Sequence, residues 1–126
     1  MNSETVIIIG GIYNLAFVLF HLMFWRLFRW KEDLASLTRI NRAIMQVINL
    51  CLTFVFLAFA YISLFYATEL LSTSLGKTLL VLIFIFWILR AVEQIVFFGL
   101  RKKISVTLLV VFVFGALIYL LPVLAG

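Results

Sequence analysis

The chain has 126 residues, of which 67% are hydrophobic and only 12% are charged, and its net charge at pH 7 is +5. Soluble domains are about half apolar and about a quarter charged, so this composition excludes an ordinary soluble domain and indicates a protein of the lipid bilayer. The sequence lacks the segments of about ten residues with alternating polarity that are typical of a membrane β-barrel.

The first apolar segment, from about residue 5 to 28, predicts a spanning helix, because about 20 apolar residues cross a bilayer. Its start carries an acid, Glu4, whereas the positive charges Arg26 and Arg29 follow the apolar run. A cleavable signal peptide has the reverse order, so we expect an uncleaved helix with its N-terminus outside. Residues 30–37 then carry apolar side chains at the spacing of a short amphipathic helix on the membrane surface.

The second apolar segment, from about residue 41 to 67, carries a polar stripe. Polar residues recur there at spacings of four, three and four, which places on one helix face Arg42, Gln46, Asn49 and Thr53. Lipid offers such a face no hydrogen-bond partner, so we expect it to turn towards other helices. The only cysteine, Cys51, lies in this segment and cannot form an intramolecular disulfide.

The third apolar segment, from about residue 78 to 100, carries charges where a lipid-facing helix would carry leucines. Arg90, Glu93 and Gln94 share one helix face by their spacing. An unpaired arginine at the centre of a membrane helix costs about 2.5–3.5 kcal/mol on insertion scales, so Arg90 needs a partner. Intramembrane charge marks a functional site by default, although a buried ion pair also serves to fix helix register. Trp87, one turn earlier, would offer a cation–π face, line a pocket or provide packing bulk.

The fourth apolar segment, from about residue 104 to 124, has no polar stripe, and we expect it to face lipid or a second subunit. Nearly all Lys and Arg residues lie in the loops after segments one and three. Basic loops stay in the cytoplasm, which predicts both termini on the outer side. The same rule explains the positive net charge, so we expect no nucleic-acid partner. The sequence thus predicts an all-α membrane protein, a single domain with four transmembrane helices, in the cytoplasmic (inner) membrane.

Polar residues of three helices are expected at one depth. Their distances from the basic loops, at 1.5 Å per residue, place all of them except Arg90 in a layer about 7–13 Å below the inner surface, and Arg90, one turn deeper, would extend into that layer. The predicted pocket is built from His21, Gln46, Asn49, Arg90, Glu93 and Gln94. A second tier comprises Asn14, on the same helix face as His21, together with Arg42, Thr53 and Trp87.

The chemistry of this layer stays open in the sequence. A lone histidine in an apolar helix is more often a hydrogen-bonded core residue than a ligand, but His21 with Glu93 would also form a proton relay. Haem needs a second axial ligand, and a metal ion needs more ligands than these two, so we expect neither metal nor cofactor. No nucleophile elbow, P-loop, dinucleotide fingerprint or zinc protease helix is present, which disfavours an enzyme. The numerous phenylalanines are expected to be lipid-facing bulk.

Three short features resemble one group of proteins. They are residues 21–25 (HLMFW) closing the first helix, residues 41–46 (NRAIMQ) opening the second, and Pro122 near the end. Their layout resembles small bacterial four-helix membrane proteins, including the DoxX-like group. The resemblance implies a four-helix bundle in the cytoplasmic membrane and no agreed activity, so no catalytic residue is carried over.

Three functions follow as hypotheses. The first is a protein that binds or transports a small polar, anionic or protonatable ligand, with Arg90 holding the anion and Glu93 with His21 handling protons. The second is a structural or accessory subunit whose polar layer fixes helix packing, and the third is an intramembrane enzyme. Four helices barely enclose a pathway, so transport would need a homo-oligomer or a partner membrane subunit in the bilayer.

Overall fold

The computed structural model describes the whole chain, residues 1–126, and contains helices and turns without a strand. Four helices are long and apolar enough to cross a membrane, which confirms the predicted all-α architecture with four helices of spanning length. In chain order the α-helices are α1 (Ser3–Leu22), α2 (Phe24–Leu27), α3 (Trp30–Asp33), α4 (Arg39–Phe65), α5 (Ala67–Ser72), α6 (Ser74–Glu93) and α7 (Lys103–Ala125). The placement of both termini on the outer side stays a prediction.

Side-chain caps fix where three of the long helices begin. The hydroxyl oxygen of Thr38 accepts a hydrogen bond from the backbone N–H of Asn41 at the start of α4. Thr73 caps α6 in the same way by accepting from the N–H of Gly76 at 2.9 Å, and Asn2 caps α1. Each cap satisfies a backbone donor that a helix N-terminus leaves unpaired.

The first long helix is shorter than the predicted segment 5–28, because α1 ends at Leu22 and the chain turns at Met23. After α2, Arg29 adopts the left-handed region (φ 51°, ψ 48°) and redirects the chain into α3. Helix α3 and the 3₁₀ turn that follows it lie where the sequence predicts a short amphipathic helix, and they bury Trp30 and Leu34. Its place on the membrane surface stays a prediction.

The third long helix changes its winding near its end. Helix α6 continues into a π-helical turn, Gln94–Phe98, which stops at Gly99. The dihedral angles of Gly99 (φ 71°, ψ −174°) lie in a region that only glycine readily adopts. This turn therefore sets the direction in which the chain enters α7. Isolated π-helical turns recur at functional sites.

The long helices form two antiparallel pairs, α1 with α4 and α6 with α7. The pairs meet along α1 and α7, and the short helix α5 packs on α1 and α6, whereas the backbones of α4 and α6 stay apart and are bridged by aromatic side chains. We call the end with loops 23–38 and 99–102 the basic end. The opposite end, which carries α5 and both chain termini, is the terminal end.

Glycines bring the two pairs together towards the terminal end. A Cβ atom added at Gly10 of α1 would lie 2.7 Å from the ring of Tyr119 on α7, and one added at Gly115 would collide with the side chain of Tyr13. Helix α7 is thus an interior partner, with Phe112 and Tyr119 buried. Its exposed apolar side fits the expectation that the fourth helix faces lipid or a second subunit, but its other side is buried, because small residues let its backbone approach α1 closely.

Candidate functional site

A cleft of about 1240 Å³ separates the two helix pairs at the basic end. Its volume exceeds the upper end of the range of about 300–1,000 Å³ that is usual for small-molecule sites. Most of its lining is apolar, and ten of the 23 lining residues are Phe or Trp. The polar and charged side chains of the lining are His21, Asp33, Arg90, Gln94, Arg101, Lys102 and Ser105.

Stacked aromatic rings close the inner end of the cleft. The fully buried Trp87 stacks on Phe56 with ring centroids 5.4 Å apart and on Phe112 at 5.9 Å. Phe17 packs against the same indole at 4.9 Å. These phenylalanines belong to the core, so the expectation of purely lipid-facing phenylalanine is wrong for them. The indole N–H of Trp87 is buried and has no acceptor.

Arg90 points its guanidinium group into this aromatic region. Its central carbon lies 4.5 Å from the ring centroid of Phe112 and 6.0 Å from that of Phe98, which are cation–π distances. Its Nη2 donates a hydrogen bond to Gln94 at 3.2 Å, whereas Glu93 lies 3.9 Å away. The arginine side chain is 29% exposed. A cation–π contact with Trp87 was one of the roles expected from the sequence. In the structure, Phe112 provides this aromatic face for Arg90.

A short hydrogen-bond chain holds Gln94 in place beside Arg90. The side-chain amide of Gln94 donates to the hydroxyl of Ser105 on α7 at 2.9 Å, and that hydroxyl donates to the carbonyl of Gly99. Gln94 is 2% exposed, and its other amide atom, the oxygen, accepts from Arg90. The role of Ser105 was not foreseen from the sequence, because it depends on how the π-helical turn and Gly99 return the chain.

His21 lines the opposite wall and is bound to α4. Its Nδ1 lies 2.8 Å from the side-chain oxygen of Asn49, and the amide nitrogen of Asn49 donates to the carbonyl of His21 at 3.1 Å. Because that amide oxygen can only accept, Nδ1 carries the proton and Nε2 is the free acceptor. Asn49 is buried behind His21 and outside the lining, and Thr53 donates to its carbonyl at 2.7 Å.

The other predicted residues do not complete a three-helix layer. Gln46 is half-buried, with no hydrogen bond from its side chain, and it is outside the lining. Glu93 has a side chain that is 55% exposed, lies outside the lining and has no contact with His21. Arg42 donates to the carbonyl of Leu37 at 3.3 Å, near the loop before α4. The structure therefore brings together His21 with Asn49 and Arg90 with Gln94, as two groups on different helix pairs.

A separate polar cluster lies towards the terminal end. The amide of Asn14 donates to the hydroxyl of Tyr119 at 2.7 Å and to the carbonyl of Gly10 at 2.9 Å, and Tyr119 bonds the hydroxyl of Ser63 at 2.8 Å. We call Asn14, Ser63 and Tyr119 the terminal cluster. All three are fully buried, and they link α1, α4 and α7. Asn14 thus lies in this cluster and not with His21.

No group of three His, Cys, Asp or Glu side chains lies close enough together to hold a metal ion. Arg101 and Lys102, which are exposed in the loop before α7, stand at the mouth of the cleft, and the exposed acid Asp33 also lines it. The residues present are therefore suited to hold an anion. The cleft has no comparable set of side chains that could bind a metal ion.

Comparison of the chain with protein-family models, with curated proteins and with solved structures finds no match. No activity or ligand is therefore taken from another protein, and the resemblance in layout to DoxX-like proteins carries no further argument.

Proposed function

We propose that the protein binds an anionic ligand in the cleft at its basic end, through the guanidinium group of Arg90. One observation carries this proposal: a half-buried arginine faces an open, mostly apolar cleft, and its only hydrogen-bond partner is the neutral Gln94. A guanidinium group has five N–H donors, so most of them stay available to a ligand.

The electrostatics of the cleft support an anion over a neutral ligand. Glu93 neutralises Arg90 only in part, because the pair is 3.9 Å apart and the carboxylate is exposed, and exposed pairs contribute little. Apolar walls lower the local dielectric constant and strengthen the attraction between Arg90 and an anion. Arg101 and Lys102 at the mouth raise the local concentration of anions.

The opposite wall would contribute a second contact. His21 lines the cleft with Nδ1 held by Asn49, so Nε2 is the ring nitrogen that it offers to a bound ligand. As an acceptor, Nε2 would bond a protonated oxygen of the ligand, such as the P–OH group of a phosphate monoester, and not an ionised oxygen. The exposed position of Glu93 gives no support to a proton relay between Glu93 and His21. Transport would in addition need a second copy of the chain or a partner subunit, because two separated helix pairs do not enclose a pathway.

The test is thermal unfolding of the purified protein in detergent with phenyl phosphate, an aromatic anion, against phenol as its neutral analogue. Bound ligand at a hundredfold excess over Kd stabilises a protein by about 2.7 kcal/mol. We expect phenyl phosphate to raise the Tm of the wild type and of Lys77→Gln, a matched loss of a cation at the terminal end. Arg90→Gln should abolish the shift. Equal shifts in all three proteins would contradict the proposal.

A structural or accessory role is the second candidate, and the terminal cluster favours it. The hydroxyl of Tyr119 joins Asn14 to Ser63, and these hydrogen bonds hold three helices together. If Arg90 serves only packing, Arg90→Ala should prevent folding in detergent, and no anion should raise the Tm. If Arg90→Ala folds and loses only the anion-induced shift, this second candidate fails.

A further inference from the structure

We infer that the ligand of the cleft is a single-chain amphiphile whose anionic head lies at Arg90 and whose hydrocarbon chain runs out along the apolar rim into the bilayer. This inference rests on the proposed function, because it needs an anion at Arg90. It adds the chemical class of the ligand, a long-chain carboxylate or a monoalkyl phosphate, and the orientation in which that ligand binds.

The polar groups of the cleft lie deep, and this depth argues for a head group that enters first. Arg90 lies over Phe112, which is itself stacked on the buried Trp87 at the inner end of the cleft. Gln94 and His21 line the same cleft, and Nε2 of His21 would accept from the P–OH group of a monoalkyl phosphate head. An anionic head at this position would be held by fixed groups in a region of low dielectric constant.

The rim of the cleft is apolar and exposed. Phe97 is 78% exposed, Phe98 67% and Ile104 64%, and all three line the cleft. On the other side, Leu27 and Phe28 line it and are about half exposed. A hydrated inorganic anion gains nothing from such a rim. A hydrocarbon chain can lie along it in continuous contact with lipid, so the tail of an amphiphile stays in apolar surroundings while its head reaches Arg90.

The length of the cleft matches a chain and not only a head group. The twelve residues from Trp87 to Phe98 correspond to about 16 Å along a helix axis. Arg101 and Lys102 lie beyond this apolar stretch, at the mouth, where they would attract the anionic head before it enters. Along the cleft, cations at the mouth are followed by the apolar rim and then by the buried charge of Arg90. This order favours an amphiphile that is dissolved in the membrane.

The orientation can be read from the fluorescence of Trp87, because bromine quenches tryptophan at close range. The probe is hexadecanoate brominated either at the carbon next to the carboxylate or at the far end of the chain, added to a Trp25→Phe/Trp30→Phe protein in lipid nanodiscs. We expect the first probe to quench Trp87 at least several-fold more than the second. Hexadecanol brominated next to the hydroxyl should leave Trp87 unquenched.

A protein that retains only Trp25 provides the matched control, because that side chain is 46% exposed and reports on acids dissolved in the bilayer. Equal quenching of Trp87 by both brominated acids, or stronger quenching by bromine at the far end, would overturn the inference. If phenyl phosphate still stabilises the protein through Arg90 while neither acid quenches Trp87, only the amphiphile is excluded. If Arg90→Gln changes neither phenyl phosphate binding nor quenching, the proposed function fails as well.

Discussion

The two halves of the bundle use polar residues in different ways. In the terminal half, Asn14, Ser63 and Tyr119 bond one another across three helices and are fully buried. In the basic half, Arg90 and His21 line a cleft, and each is bound only within its own helix pair. In this bundle, a polar residue whose partner lies on the other helix pair stabilises the packing of the helices. A polar residue that lines the cleft is instead a candidate binding group.

The side chains at the contact of α1 and α7 account for this difference. Gly10 and Gly115 leave room for the tyrosines of the facing helix, so the backbones approach closely. About three to four turns towards the basic end, Phe20 of α1 and Phe24 of α2 take their place, and both line the cleft. The same pair of helices is thus joined by small residues at one end, while bulky residues line the gap at the other.

A larger side chain at Gly10 should have the largest effect on the free energy of unfolding. In Gly10→Leu the new side chain collides with Tyr119, and overpacking of this kind costs typically 1–3 kcal/mol and occasionally more, so we expect a loss of about 3 kcal/mol. The measurement is the free energy of unfolding in mixed detergent micelles. Ala16→Leu, at an exposed position of the same helix, is the control and should unfold like the wild type. Equal losses in both variants would mean that the contact is not tight.

Removing the hydroxyl of Tyr119 should have a smaller effect, confined to stability. Tyr119→Phe loses the hydrogen bonds to Asn14 and Ser63, which should lower the free energy of unfolding by about 1–2 kcal/mol. Tyr61→Phe, at an exposed tyrosine, is the control and should change little. The Tm shift with phenyl phosphate should persist in both variants. Its loss in Tyr119→Phe would show that the two halves are coupled.

Neutralising Glu93 should have the smallest effect. Its carboxylate is exposed and 3.9 Å from Arg90, so Glu93→Gln should change the free energy of unfolding by less than about 1 kcal/mol. Binding of phenyl phosphate, measured by the same Tm shift, should be kept or slightly strengthened, because a competing anion has been removed. Loss of the shift in a folded Glu93→Gln protein would make Glu93 part of the site.

The sequence predicted the helices and part of the cleft for physical reasons. Composition and the length of the apolar runs are enough for four spanning helices. Helix periodicity correctly placed Arg90 and Gln94 on one face, and both line the cleft. Periodicity cannot show how a helix is rotated against its neighbours, and for this reason Gln46 and Glu93 were expected in a pocket that they do not line.

The residues that sequence reasoning missed depend on packing between helices. In a helix that is apolar on every side, hydrophobic pattern does not separate lipid-facing from interior positions, so Phe17, Phe56 and Phe112 gave no signal. Ser63 and Tyr119 become partners only through the register of α4 and α7 against α1. One signal was present: Gly115, a small residue in the middle of the fourth segment, is typical of a close helix contact.

The most direct test of the contrast between the halves compares the thiol reactivity of two positions that lie seven residues apart on α1. In a Cys51→Ser background, His21→Cys places a thiol at the wall of the cleft, and Asn14→Cys places one in the terminal cluster. Folded protein in detergent is treated with a charged methanethiosulfonate reagent, and labelling is followed by mass. A cleft open to solvent predicts fast labelling at position 21 and none at position 14 before unfolding. Equal protection of both thiols would contradict it, because the basic half would then be as closed as the terminal half.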